Sequence, residues 1–212
     1  MMKFPSLRRL LDTFWDAFLP QNAVLVQALG LCPILAIGYS LKEGIAFSLC
    51  ILLVMVPANL LLSLVGKRIP QWLRPPIYAV LTMGLLLLAS LLMRPYLSAN
   101  ALYVFLPLMA VNSLFTVRAS GKQAAAVHPL ASLAESLGVA LGFALVMCAA
   151  CAIREAASSG TVWGNSLGYG MRFVEAKYAF IGYVLLGFMA AALQSLRRIY
   201  HRLRTKKGDE SV

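Results

Sequence analysis

Residues 44–66 read GIAFSLCILLVMVPANLLLSLVG, without one charged side chain. A helix needs about 20 predominantly apolar residues to cross the hydrocarbon core of a bilayer, and this stretch supplies them. Working outward, residues 23–41, 75–93 and 95–117 are equally free of charge. Residues 137–153, with a start extended back toward Pro129, make a fifth run, and residues 178–196 a sixth. Lys42-Glu43, Pro70, Arg94-Pro95, Gly121 and the Gly160 to Gly170 region punctuate them. The reading is an all-α integral membrane protein of six transmembrane helices. Composition agrees: 212 residues are 60% hydrophobic and 13% charged, with a mean hydropathy of +0.78. Soluble domains are roughly 45–50% apolar and about 25% charged. A water-soluble enzyme, a secreted disulfide scaffold and a disordered tail are excluded.

The few charges report topology. Short loops on the cytoplasmic side collect Lys and Arg. With six spans, Lys3, Arg8, Arg9, Lys67, Arg68, Arg74, Arg118, Lys122 and the basic residues from Arg197 to Lys207 share one side. Lys42, Arg94, Arg154, Arg172 and Lys177 occupy the other. Fourteen basic groups against five, out of 19, place both termini in the cytoplasm. The +11 net charge is thus topology and contact with anionic lipid, and no nucleic-acid partner is expected. Residues 1–20 carry Leu7, Leu10, Leu11, Phe14, Trp15 and Phe18 on one helical face, an amphipathic cytoplasmic helix lying in the interface. Residues 21–94 and 95–196 form two three-helix halves of one membrane domain, and residues 197–212 a basic tail.

Two spans are not uniform. The first contains Gly30-Leu31-Cys32-Pro33; the fourth contains Pro107 and Asn112-Ser113. A proline inside a helix removes a hydrogen bond and clashes with the preceding turn. Interrupted spans at matching places in two halves suggest an inverted repeat, with a site near the midplane between them. Other candidates have plainer roles. Cys148-x-x-Cys151 lies in an unbroken apolar helix and reads as packing, as does Cys50. Gly138-x-x-x-Gly142 permits close helix approach. Ser132-x-x-Glu135 reads as a helix capping box, with Glu135 also a candidate carboxylate on an ion pathway. His128 marks a loop–helix junction, and Arg154-Glu155 marks the membrane interface at the end of the fifth span. No nucleotide-binding or hydrolase motif occurs in the sequence.

The residues resemble a known family. Residues 22–36, NAVLVQALGLCPILA, are similar to the first span of the E subunit of Rnf electron-transport complexes. That protein is paralogous to the D subunit of the sodium-pumping NADH:quinone reductase. Agreement continues at Asn59-Leu60, Ser63-Leu64, Ile69-Pro70, Ser132 to Glu135, Leu141 to Phe143, Ile153 to Glu155 and Ser159 to Thr161. The resemblance implies six spans as an inverted repeat, broken in helices one and four, in a bacterial or archaeal cytoplasmic (inner) membrane. It implies pairing with a paralogous, Rnf A-like subunit and with further redox subunits. It also implies a [2Fe-2S] cluster shared by the pair, two cysteines from each, in a ferredoxin:NAD oxidoreductase coupled to Na+ or H+ translocation. The chain is then not catalytic alone.

One family cysteine matches Cys32. The other would follow Asn112, where this chain carries Ser113. Serine offers a hard oxygen in place of a soft thiolate, poorly matched to iron–sulfur chemistry. Ser113 as a weak ligand, another ligand in its place, and a cluster-free structural subunit all stay open. The alternative of another class is a stand-alone inverted-repeat transporter of an ion or small solute.

Overall fold

A computed structural model describes residues 7–18, 22–37, 40–65, 69–93, 129–163, 165–166, 173 and 178–209. The fourth expected span, Ser113 within it, and His128 lie outside the described residues. The described chain comprises α1 (Leu7–Phe18), α2 (Leu31–Ile37), α3 (Leu41–Val65), α4 (Arg74–Met93), α5 (Pro129–Ser159) and α6 (Ala179–Asp209). A small antiparallel hairpin, β1 (Thr161–Val162) with β2 (Asn165–Ser166), follows α5.

Among the described residues, three helices are long and apolar enough to cross a membrane, over Leu41–Leu64, Arg74–Leu92 and Pro129–Ser159. They cover the second, third and fifth expected runs. The sixth falls on α6, whose apolar part is Phe180–Ser195. That helix continues through the basic residues to Asp209, since Leu196 to Lys207 contains neither proline nor glycine to stop it. Pro75 and Pro76 sit in the first turn of α4, where the missing N–H groups had no helical partner to lose.

α3 and α5 form the centre and run antiparallel: Gly44 meets Cys151 at one end of the contact, and Cys148 lies beside Ser48 one turn on. A Cβ at Gly44 would lie 2.5 Å from Cys151 Sγ, so the missing side chain sets the approach. Phe47, Ile51, Val54 and Met55 of α3 and Val139, Phe143, Val146 and Met147 of α5 fill the core. α4 joins α3 through a buried hydrogen bond from Tyr78 Oη to Asn59 Oδ1, 2.6 Å.

α1 packs along the first half of α5. A Cβ at Gly138 would come 2.6 Å from the Phe14 carbonyl oxygen, and one at Gly142 2.8 Å from that of Phe18. The spacing read as a close-approach motif therefore seats α1. Leu11 and Trp15 face outward, keeping the amphipathic character of the helix. Ser132 does not cap α5, because the helix already begins at Pro129 and buries Ser132 within it. Proline at the first helical position starts the helix with its φ already set.

Candidate functional site

The first expected span is indeed interrupted, but not by its proline. After α1 the chain makes one helical turn from Asn22. It ends at Ala28, whose φ is 55° and whose N–H donates to Val24 O at 3.1 Å. Gly30 follows at φ 76°. Two residues beyond the right-handed region, separated only by Leu29, stop the helix. Pro33 then stands third in α2, in a first turn where no helical hydrogen bond is lost. Cys32 stands just before it and is exposed.

Both sides of this break are tied to α5. Asn22 is 4% exposed and uses its whole amide. Its Nδ2 donates to Phe18 O (3.1 Å) and Gly142 O (3.2 Å), and its Oδ1 accepts from the Val24 and Leu25 amides (3.0 and 3.2 Å). It therefore caps the turn after it and fastens that turn to the close-approach point on α5.

At the far side stand Arg154 and Glu155. Arg154 is 2% exposed and Glu155 7%, so this pair, read in the sequence as a marker of the membrane interface, is also buried within the protein. The Arg154 guanidinium donates through Nη1 to Ile34 O (3.3 Å) and Leu35 O (3.1 Å), and through Nη2 to Tyr178 O (3.4 Å). The first two are among the last four carbonyls of α2, which no intrahelical donor can reach. Glu155 Oε2 accepts from the Leu41 amide, 2.7 Å, the first donor of α3. A cation thus meets the negative end of α2 and an anion the positive end of α3, the favourable sense for both helix dipoles. Such partners offset the several kcal/mol that desolvating each charge costs. Gly182 of α6 makes room: a Cβ there would lie 2.9 Å from Leu35 Cδ2 and 3.4 Å from Arg154 Nη1.

Of the residues singled out in the sequence, Cys32 lies one turn from this Arg154 contact. Glu135 lies half-buried near the opposite end of α5, about 30 Å along the helix at 1.5 Å per residue. The structure does not bring these two together. Cys148 and Cys151 serve the α3–α5 contact, with Glu43, Arg154 and Glu155 within electrostatic reach of Cys151. Among the described residues no group of three or more His, Cys, Asp or Glu could hold a metal ion. Sequence reasoning missed Asn22 and the interior role of Arg154-Glu155. The signal for the second was adjacent opposite charges ending an apolar run that continues helically to Ser159.

The chain matches the Rnf-Nqr subunit family of membrane proteins over residues 10–199. Among its relatives, the E subunit of the ion-translocating oxidoreductase complex of Aliivibrio fischeri is 33% identical over 156 residues, 72% of this chain and 66% of that protein. The protein of the same name from Shewanella loihica is 34% identical over 159 residues, 73% of this chain and 67% of the relative. The E subunit of the Na(+)-translocating ferredoxin:NAD(+) oxidoreductase complex of Acetobacterium woodii is 33% identical over 150 residues, 69% of this chain and 76% of the relative. The matches thus span about two thirds of the length of the first of these relatives. With a family match over residues 10–199, most of its length, the chain belongs to the Rnf-Nqr membrane subunit family.

Proposed function

We propose that the chain is the E-type membrane subunit of an Rnf-type ferredoxin:NAD oxidoreductase. In it the chain relays electrons through the bilayer, and the complex couples this to Na+ or H+ movement. The observation that carries the reading is the exposed Cys32 at the break between two helical segments, in a chain whose relatives bear the names given above. A thiol on the surface of a membrane subunit can be shared with a second subunit. A buried one, such as Cys151, cannot.

The architecture that goes with this function is a six-helix inverted repeat, the fourth helix broken like the first. Its partner is a paralogous subunit of opposite topology, and both termini face the cytoplasm of a bacterial or archaeal inner membrane. The donor chemistry fits a shared [2Fe-2S] cluster in one of this chain's two places. Cys32 offers an accessible sulfur of the kind iron–sulfur ligation uses, whereas Ser113 offers a hard oxygen. Cys32 would hold one corner of such a cluster, which when bound would supply a one-electron stepping point within the membrane. The chain's own residues hold that position: Asn22 and Arg154 fix the two segments flanking Ala28–Gly30, and apolar helices limit solvent there. Glu135, far along α5, belongs to the ion path in this reading and not to the redox site.

The test is purification through a tag on this chain from its native membrane. The expected result is a stable assembly containing the paralogous subunit, with the visible absorbance of an iron–sulfur centre. The paralogue without iron would leave the cluster-free structural subunit. A monomer or homodimer that alone carries a solute across liposomes would overturn the proposal.

A further inference from the structure

Within a turn of Cys32, a permanent charge is buried against backbone. Arg154 donates to the carbonyls of Ile34 and Leu35 at the end of α2 and to Tyr178 O at the start of α6. α2 is only seven residues long, too short to hold its own conformation or position in isolation. Its preceding segment turns through positive φ at Ala28 and Gly30. α2 is therefore a short helical piece that follows a break and stands before Leu41 in the chain. Its placement depends on side chains from elsewhere. Leu35 packs beside Gly182 of α6, and Arg154 supplies the polar anchor. Glu155, the next residue, accepts from the Leu41 amide at the start of α3. One turn of α5 thus sets both ends of the connection from α2 to α3.

We infer that Arg154 is a positioning residue for Cys32. Its guanidinium, held between the α2 C-terminus and the α6 N-terminus, sets where the half-helix carrying that thiol stands relative to the rest of the subunit. The inference rests on the reading of Cys32 as a ligand of the membrane redox group. The geometry makes Arg154 specific in this role. A lysine ammonium carries the charge and can meet one carbonyl, but lacks the planar fork that reaches α2 and α6 together. Glutamine keeps one donor group and loses the charge. Gly182→Ala presses on Leu35 and Arg154 without altering any polar group, and so perturbs the same anchor by an independent route.

The experiment uses the whole complex purified from membranes carrying Arg154→Gln, Arg154→Lys, Gly182→Ala or Cys32→Ala. Hydrogen exchange is read over residues 31–37, and low-temperature EPR is read on the dithionite-reduced complex. The expected result for Arg154→Gln is roughly tenfold or faster exchange of the Leu35, Ala36 and Ile37 amides. It comes with a changed line shape or g anisotropy in the signal that Cys32→Ala removes. Arg154→Lys restores part of both, and Gly182→Ala reproduces both in milder form. Unchanged exchange in Arg154→Gln and Gly182→Ala overturns the inference, because the anchor then holds nothing. Faster exchange with an unaltered signal also overturns it, leaving Arg154 a purely structural residue. A signal that survives in Cys32→Ala overturns it through the ligand reading instead, an outcome told apart by the variant in which it occurs. If Arg154→Gln does not assemble, Gly182→Ala decides between the same results.

Discussion

Replacing Asn22 by alanine should cost more than an apolar sequence context would suggest. The side chain makes four hydrogen bonds, two donated to Phe18 O and Gly142 O and two accepted from the Val24 and Leu25 amides. Alanine removes the cap, a loss of about 1 kcal/mol within a range of roughly 0.5–2. It also removes the link to Gly142 across the helix pair; such bonds in membrane proteins average about 0.6 kcal/mol and reach about 1.7. Together the two losses come to about 1.6 kcal/mol, roughly a fourteenfold shift in the unfolding equilibrium at 1.4 kcal/mol per decade. Serine separates them, since its hydroxyl can still accept from the Val24 or Leu25 amide but is too short to reach Gly142. The assay is SDS-driven unfolding of the detergent-solubilised protein, followed by circular dichroism. The order expected is wild type, then Asn22→Ser, then Asn22→Ala, with serine recovering about 1 kcal/mol. Asn22→Ala within about 0.5 kcal/mol of wild type, the scale of an ordinary surface change, would refute the reasoning. So would Asn22→Ser and Asn22→Ala being equally destabilised, because the cap would then contribute nothing.

Gly138→Leu should separate α1 from α5, since even a Cβ at that position would lie 2.6 Å from Phe14 O and 3.0 Å from Ala17 Cβ. The check is protease sensitivity of the residues before Asn22, which rises in the variant and not in Gly187→Leu, where no atom lies within 4 Å. Gly44→Ala should destabilise the α3–α5 pair by about 1–3 kcal/mol through overpacking on Cys151 Sγ. Cys151→Ala in the same chain should recover most of that loss, a favourable coupling of about 0.5–3 kcal/mol in the unfolding cycle. Tyr78→Phe should cost about 1–2 kcal/mol in the same assay, because it leaves the buried Asn59 Oδ1 without the 2.6 Å hydrogen bond it accepts.

What could be read in advance follows from the kind of signal each feature leaves. Charge-free runs specify spans directly, so α3, α4 and α5 stand where residues 44–66, 75–93 and 137–153, the last extended back toward Pro129, put them. Gly138 and Gly142 are legible for the same reason, since their spacing on one helix already defines a face. The break in the first span was legible only as a fact. Pro33 drew attention, but its ring does no damage in a first turn, and the chain actually turns at Ala28 and Gly30. An alanine in the left-handed region leaves no mark in a sequence. The capping box failed because Pro129 outcompetes Ser132 for the start of α5. Arg154 and Glu155 were legible as charges at the end of an apolar run, but not as side chains buried against other helices. Their burial depends on two helix termini from elsewhere in the chain, Leu35 and Leu41, more than a hundred residues away. Long-range partners of that kind are set by the fold, and no local pattern announces them. The same holds for Asn22, whose acceptor Gly142 lies on a different helix.

We propose that Cys32 holds a redox group within the membrane part of a multi-subunit complex. Low-temperature EPR of the dithionite-reduced complex, purified through this chain, tests it most directly when wild type is set beside Cys32→Ala and Ser113→Cys. The result expected is a [2Fe-2S] signal in the wild type. Cys32→Ala loses it along with the iron, and Ser113→Cys strengthens it or shifts its potential. A complex whose iron content and spectrum are the same in all three would contradict the claim.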